Sequence, residues 1–244
     1  MRLTFLGTGS ALPSPTRVQS GLLVESADHT LLVGCGSGVC HRLAQTETAC
    51  TEIDAVLVTH THLDHVADLS TLVKARWLDD QPGLSVYGPP GTSGVVETLL
   101  GVDALTERTE VRVTELDADQ ARIEIGPHRI EYTETTHSTV CFAYRIDDRL
   151  TISGDTAPDD AVFELADGSE VLVHECSFPD GVDSPGHTTP TELGRGLGGI
   201  SVAAVYLTHL FPETERHIDD LEAAVAPAVD SVAVPDELDS IHIG

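Results

Sequence analysis

The 244-residue chain carries 40 acidic against 13 basic residues, a formal charge of −27, with 41% hydrophobic and 4% aromatic residues. At roughly 100 to 250 residues per domain, this length predicts one domain spanning residues 1–244 with a substantial core. No apolar run nears the roughly 20 residues of a membrane span, and the lack of a basic patch argues against an extended nucleic-acid surface.

Further classes fall away on inspection. The start, "MRLTFLGTGSALP", has one basic residue and a short apolar run broken by glycines, which is no secretory signal, so the expectation is a soluble, cytoplasmic protein. The acids are scattered rather than gathered in a tail, and Lys74 is the only lysine, a balance that fits a halophilic protein in a very salty cytoplasm. Near 1 M salt the Debye length is about 3 Å, so the charge does not bar an anionic substrate. Cys35, Cys40, Cys50, Cys141 and Cys176 are odd in number and form no C-x-x-C, so they read as core thiols.

In chain order, β-branched or alternating runs predict strands over 3–6, 21–25, 30–33 and 54–58. The last of these ends in "VLVTHTHLDHVADL", where His60, His62, Asp64 and His65 follow directly on apolar Val56, Leu57 and Val58. Val66, Leu69, Leu72, Val73 and Trp77 recur at helical spacing and predict a helix over 66–78, with Asp64 just before its N-terminus. A strand end and turn at "VYGPPGTSG" lead to a helix over 94–100, then strands over 110–113, 121–124 and 129–135. Residues 142–146 and 150–153 read as a hairpin across "DDR". The later part alternates: helix 159–165, strand 170–173, a helix from Thr191, strand 203–207 and a helix over 215–225. Meanders followed by β-α alternation imply two mixed sheets, each covered by helices, in two halves of similar rhythm.

Imidazole and carboxylate are ligand types suited to zinc and its neighbours. A polar helix cap accounts for Asp64 but not for three imidazoles, so the H-x-H-x-D-H cluster predicts a metal site. Two residues apart, His60 and His62 can share one metal, leaving Asp64 and His65 for a second. Three more ligand types stand at strand exits: His137 in "TTHSTV", Asp155 in "LTISGDTAP" and His209 in "VYLTHL".

This order of ligand types resembles the metallo-β-lactamase superfamily. "FLGTGSALPSPTRVQSGLLV", "LLVGCGSG", "GDT", "VHECSF" and "LTHL" extend the likeness over nearly the whole chain and make it similar to the ribonuclease Z-like branch. The resemblance implies an αβ/βα four-layer sandwich with two Zn²⁺ (or Mn²⁺) ions in a cleft. His60, His62 and His137 would hold one ion, Asp64, His65 and His209 the other, and Asp155 would bridge. "SPGHTTP" also looks like a lactamase segment whose His is a ligand, but there the bridging Asp follows that His. Here Asp155 precedes His187, which favours His137 as ligand and frees His187.

Two cations about 3.5–4 Å apart can share a water and lower its pKa, so a bridging hydroxide is the expected nucleophile. Glu175 and His187 are the expected acid pair for the leaving alkoxide, completing a catalytic set with Asp64. "GTGSALP" lacks the third Gly of a dinucleotide fingerprint and reads instead as a tight turn lining the cleft. His29, His41, His128, His217 and His242 read as surface or packing residues, with His242 able to fold back from the C-terminus.

Two departures bear on function. The branch has Asp before its Cys-Gly, where this chain has Gly34. Its tRNA-processing members insert a gripping arm where this chain has only 147–153. A phosphodiesterase on small phosphodiesters, such as cyclic nucleotides or short oligonucleotides, therefore ranks above tRNA 3′ processing. A thioesterase or lactonase and a non-catalytic metal-binding protein are the remaining alternatives. Members of this fold often dimerise, which makes a homodimer through an apolar N-terminal surface a further expectation.

Overall fold

The computed structural model describes residues 1–182 and 185–244. Its first sheet is built from β1 (Arg2–Gly7), β2 (Gly21–Glu25), β3 (Thr30–Val33), β4 (Ala55–Leu57), β5 (Gly83–Gly88) and β6 (Glu110–Glu115). The second holds β7 (Arg122–Ile125), β8 (His128–Glu134), β9 (Phe142–Ile146), β10 (Leu150–Ile152), β11 (Val171–Glu175), β12 (Ala204–Thr208) and β13 (Val232–Ala233). The final strand, β14 (Ser240–His242), returns to the edge of the first sheet and pairs with β1, with His242 opposite Arg2. Each sheet is half antiparallel meander and half parallel: β14-β1-β2-β3-β4-β5-β6 turns parallel from β3 onward, and β13-β12-β11-β10-β9-β8-β7 is parallel from β13 to β10.

The four layers follow from strand alternation. Leu22 and Val24 of β2, Leu31 and Val33 of β3, and Ala55 and Leu57 of β4 face the second sheet, meeting Tyr132, Phe142, Tyr144 and Ile152. The alternate residues Leu23, Leu32 and Val56 face outward onto α1 (Val39–Leu43), α3 (Leu69–Leu78) and α4 (Thr92–Gly101). Leu172, Val205 and Leu207 do the same for α5 (Asp160–Ala166), α6 (Pro190–Leu197) and α7 (Ile218–Val225). A period of two thus fills both faces of each sheet with apolar side chains.

The structure differs from the sequence reading in the helix after the His cluster. It is two pieces, α2 (Leu63–Val66) and α3, and Asp64 lies inside the first turn of α2 rather than ahead of it. The break is tertiary: Asp68 N–H donates to Cys35 O at 2.9 Å, and the Asp68 carboxylate accepts from Gly38 and Cys40 N–H at 3.0 Å each. Those bonds cap α1, whose five residues carried no signal. Of the cysteines, Cys50 is only half-buried; the other four are buried. His128 is a packing residue, buried between Ser26 (3.2 Å from Nε2) and Asp147 (2.6 Å from Nδ1), a chain of contacts that ties the two sheets together at one end. Among the described residues no helix is long and apolar enough to cross a membrane.

Candidate metal centre

Four strand exits converge at one edge of the sandwich. Two hydrogen bonds join the sheets there: Phe142 N–H donates to Thr59 O at 2.9 Å, and the Tyr144 hydroxyl to Val58 O at 2.7 Å. They set the exit of β4 beside the start of β9, next to the β8–β9 connection that carries His137. The helix α2 is fastened to the exit of β3 by Cys35 N–H on His65 O at 2.7 Å. The "GTGS" turn lies against the exit of β12, where Leu210 N–H donates to Thr8 O at 3.0 Å.

All seven expected ligand positions meet there. His60 Nε2 lies 3.0 Å from His62 Nδ1, which lies 3.3 Å from His137 Nε2. His209 Nε2 lies 3.2 Å from Asp64 Oδ2, and His65 Nε2 3.6 Å from the same oxygen. Asp155 stands between the groups, with its carboxylate 3.6 Å from His60 Nε2, 3.4 Å from His65 Nε2 and 3.3 Å from His209 Nε2. One cluster of ligand atoms is formed by His60, His62, His137 and Asp155, and another by Asp64, His65 and His209. His60, Asp64, His65, Asp155 and His209 are buried, while His62 and His137 lie nearer solvent.

The donor set fits divalent cations. Ring nitrogens of His60, His62 and His137 converge with an Asp155 oxygen, and His65 Nε2 is buried without a hydrogen-bond partner. Burial and the neighbouring His65 hold His60 well below the usual imidazole range, and burial with His137 lowers His62, so both present lone pairs. Burial opposes the charge on Asp155, but His209, His65 and His60 overcome it and hold the carboxyl well below its usual value. Burial likewise opposes protonation of His209, yet Asp155 and Asp64 raise it to about 9. A cation between these groups would take over from that proton.

The backs of the imidazoles are held by neutral groups that the sequence reading missed. Thr59 Oγ1 lies 3.2 Å from His60 Nδ1 and 3.3 Å from His65 Nδ1, and Cys141 Sγ lies 3.6 Å from His60 Nδ1. Gly186 O accepts from His137 Nδ1 at 2.9 Å. Ser177 Oγ lies 2.8 Å from His209 Nδ1. Gly34 adopts φ +74° and borders a cavity of about 40 Å³ beside the site, shared with Ser20, Thr59 and His65. That volume is enough for water.

Glu175 and His187 come together as expected, with His187 Nδ1 3.1 Å from Glu175 Oε1. Burial disfavours the imidazolium, but the hydrogen bond and charge of Glu175 outweigh it and raise His187. His187 also comes within ligand range of Asp155 and His209. Ser184, in the same "SPGHTTP" segment, lies outside the described residues. Phe178 and Phe211, half-buried and stacked at 4.3 Å, stand beside His187 and His209. Glu175 itself is buried and accepts from Thr156, Ser177 and Thr188 N–H, so it is built into the site rather than turned to water.

Two facing mixed sheets with this His/Asp cluster, together with relatives named ribonuclease Z and metallo-hydrolase, make the chain a ribonuclease Z-like, metal-dependent hydrolase of the metallo-β-lactamase fold. More narrowly, the family described as "Anti-Pycsar protein Apyc1" matches residues 1–224, and the chain belongs to that family. A ribonuclease Z of Mycobacterium bovis (strain BCG / Pasteur 1173P2) is 34% identical over 87% of this chain and 86% of its own length. The structure of the metallo-β-lactamase fold protein YhfI from Bacillus subtilis aligns with a TM-score of 0.86 at 26% identity, covering 100% of this chain and 99% of that one. Human tRNase Z, short form, shares the fold with a TM-score of 0.83 at 22% identity, covering both chains completely (100% each).

Proposed function

We propose that the protein is a dinuclear phosphodiesterase acting on small phosphodiesters, cyclic nucleotides or short oligonucleotides among them. The ligands are His60, His62 and His137 for one ion, Asp64, His65 and His209 for the other, and Asp155 between them. Zn²⁺ is the proposed metal, with Mn²⁺ as the alternative. Divalent cations held there supply an activated water and offset negative charge gathering on the phosphoryl group.

The chain's own residues do the rest. Glu175 Oε1 accepts from His187 Nδ1, which fixes the ring and leaves Nε2 to deliver a proton to the leaving alkoxide. Asp64 Oδ2 and His209 Nε2 lie 3.2 Å apart, and both would face the second ion, with Asp64 supplying the negative charge there. Phe178 and Phe211 offer a flat apolar wall for a substituent next to the reacting group.

One observation carries the preference for small substrates. β9 and β10 are joined by residues 147–149 alone, with left-handed Asp147 and Asp148 forming the turn. No arm projects between them, and the net charge of −27 supplies no basic track for RNA. A second reading, tRNA 3′ processing, is favoured by the name of the 34% identical Mycobacterium bovis relative.

The reaction class is tested by assaying protein loaded separately with Zn²⁺ and Mn²⁺, in high salt, on bis-p-nitrophenyl phosphate and cyclic nucleotides against thioesters and lactones. Turnover of the phosphodiesters is expected. Turnover confined to thioesters or lactones would contradict the proposal.

A further inference from the structure

We infer that Ser177 is a positioning residue that couples the Glu175–His187 proton-transfer pair to His209 of the metal cluster. Its side chain is fully buried, at 0% exposure, and meets three functional groups at once. Ser177 Oγ lies 2.6 Å from Glu175 Oε2, 2.8 Å from His209 Nδ1 and 3.1 Å from His187 Nδ1.

The direction of each bond follows from what each group can do. A carboxylate oxygen only accepts, so the Ser177 hydroxyl donates to Glu175 Oε2. Its proton is then committed, and the oxygen can only accept from the two imidazoles. His209 must therefore carry its hydrogen on Nδ1, leaving the Nε2 lone pair for a cation beside Asp64 and Asp155. His187 must likewise carry a hydrogen on Nδ1, shared between Ser177 Oγ and Glu175 Oε1, so proton delivery falls to Nε2. The hydroxyl sets the tautomer of His209 and, together with Glu175 Oε1, that of His187.

The backbone around Ser177 is held as firmly. Its N–H donates to Glu175 Oε2 at 2.9 Å, and its carbonyl accepts from the Thr214 hydroxyl at 2.6 Å. The two rings it orients lie nearly parallel, 17° apart with centroids at 5.5 Å. One oxygen thus meets both the ring that would face the cation and the ring that would deliver the proton. Partners of this kind behind a metal-bound imidazole typically change metal affinity 10- to 100-fold when removed.

The inference rests on the proposed phosphodiesterase reading only for its rate arm. Ser177→Ala and Ser177→Thr are compared with wild type for Zn²⁺ affinity, by competition with a chromophoric chelator, and for kcat and KM on bis-p-nitrophenyl phosphate at saturating Zn²⁺. Ser177→Ala is expected to bind Zn²⁺ about 10- to 100-fold more weakly. Its kcat should fall about 10- to 100-fold, as misplacement of a reacting group does, with KM little changed. The hydroxyl of Ser177→Thr should restore both. Wild-type Zn²⁺ affinity and kcat in Ser177→Ala would overturn the inference. So would equal losses in both variants accompanied by lowered melting temperatures, the signature of packing. Should wild type cleave no phosphodiester at all, the functional reading fails while the Zn²⁺ arm still decides the role of Ser177.

Discussion

His209 adopts φ +59°, a left-handed conformation uncommon for a residue with a side chain, directly after β12. The strain turns its ring back into the cluster, between Asp64 and Asp155, where a relaxed extended residue would continue the strand. The candidate ligand types are legible because each stands after a strand, and by the family resemblance the order of Asp155 before His187 favours His137. The neutral groups behind them are not. Thr59 is one threonine among many until the chain turns after β4 into α2 and brings its hydroxyl against both His60 and His65. Substituting Thr59→Val is expected to weaken Zn²⁺ binding about 10- to 100-fold, with Thr59→Ser recovering it; calorimetric titration reads the difference, and unchanged affinity in the valine variant would remove Thr59 from the account. His187 poses a sharper question, because its ring also reaches Asp155 and His209. His187→Ala should retain both metals by elemental analysis while losing about 10²- to 10⁴-fold in kcat. Loss of one metal would make His187 a ligand instead.

The short helix α2 places two of the ligand positions, Asp64 and His65, and its own placement depends on a close backbone approach. A Cβ on Gly36 would sit 2.0 Å from Asp64 O, so "GCGSG" is glycine-rich where the chain must pass under α2. Gly36→Ala should therefore push α2 outward. The expected result is destabilisation by about 1–3 kcal/mol together with weakened metal binding, read from the urea midpoint and chelator competition on one sample. Full metal affinity in that variant would show that α2 does not depend on this contact. The same region explains which elements escaped the sequence. Apolar residues recur from Val66 to Trp77, so periodicity predicted an unbroken helix. The break at Asp68 arises because its carboxylate caps α1 from across the fold. The start of α1 lacks a side-chain cap of its own, since its partner lies 28 to 30 residues away. Short apolar strands bounded by Gly, Asp or Ser, by contrast, match closely: the expected 21–25 and 30–33 have the bounds of β2 and β3.

At the scale of the whole molecule, the two mixed sheets place every candidate ligand position at one edge of the sandwich, and the chain carries a formal charge of −27. Self-repulsion of such a surface opposes compactness and is screened as salt rises, the Debye length falling from about 10 Å at 0.1 M to about 3 Å at 1 M. The melting temperature should therefore climb as KCl is raised from 0.1 to 2 M, the behaviour of a protein suited to a salty interior. A melting temperature independent of KCl would count against the halophilic reading without touching the site. The proposed preference for small substrates rests on the charge and the short 147–149 turn together: one offers RNA no basic track, the other no arm. The most direct test is the ratio of kcat/KM for a 3′,5′-cyclic nucleotide to that for a pre-tRNA, measured with one metal-loaded preparation at fixed salt. A ratio well above one is predicted; efficient pre-tRNA cleavage with negligible cyclic nucleotide turnover would contradict the account.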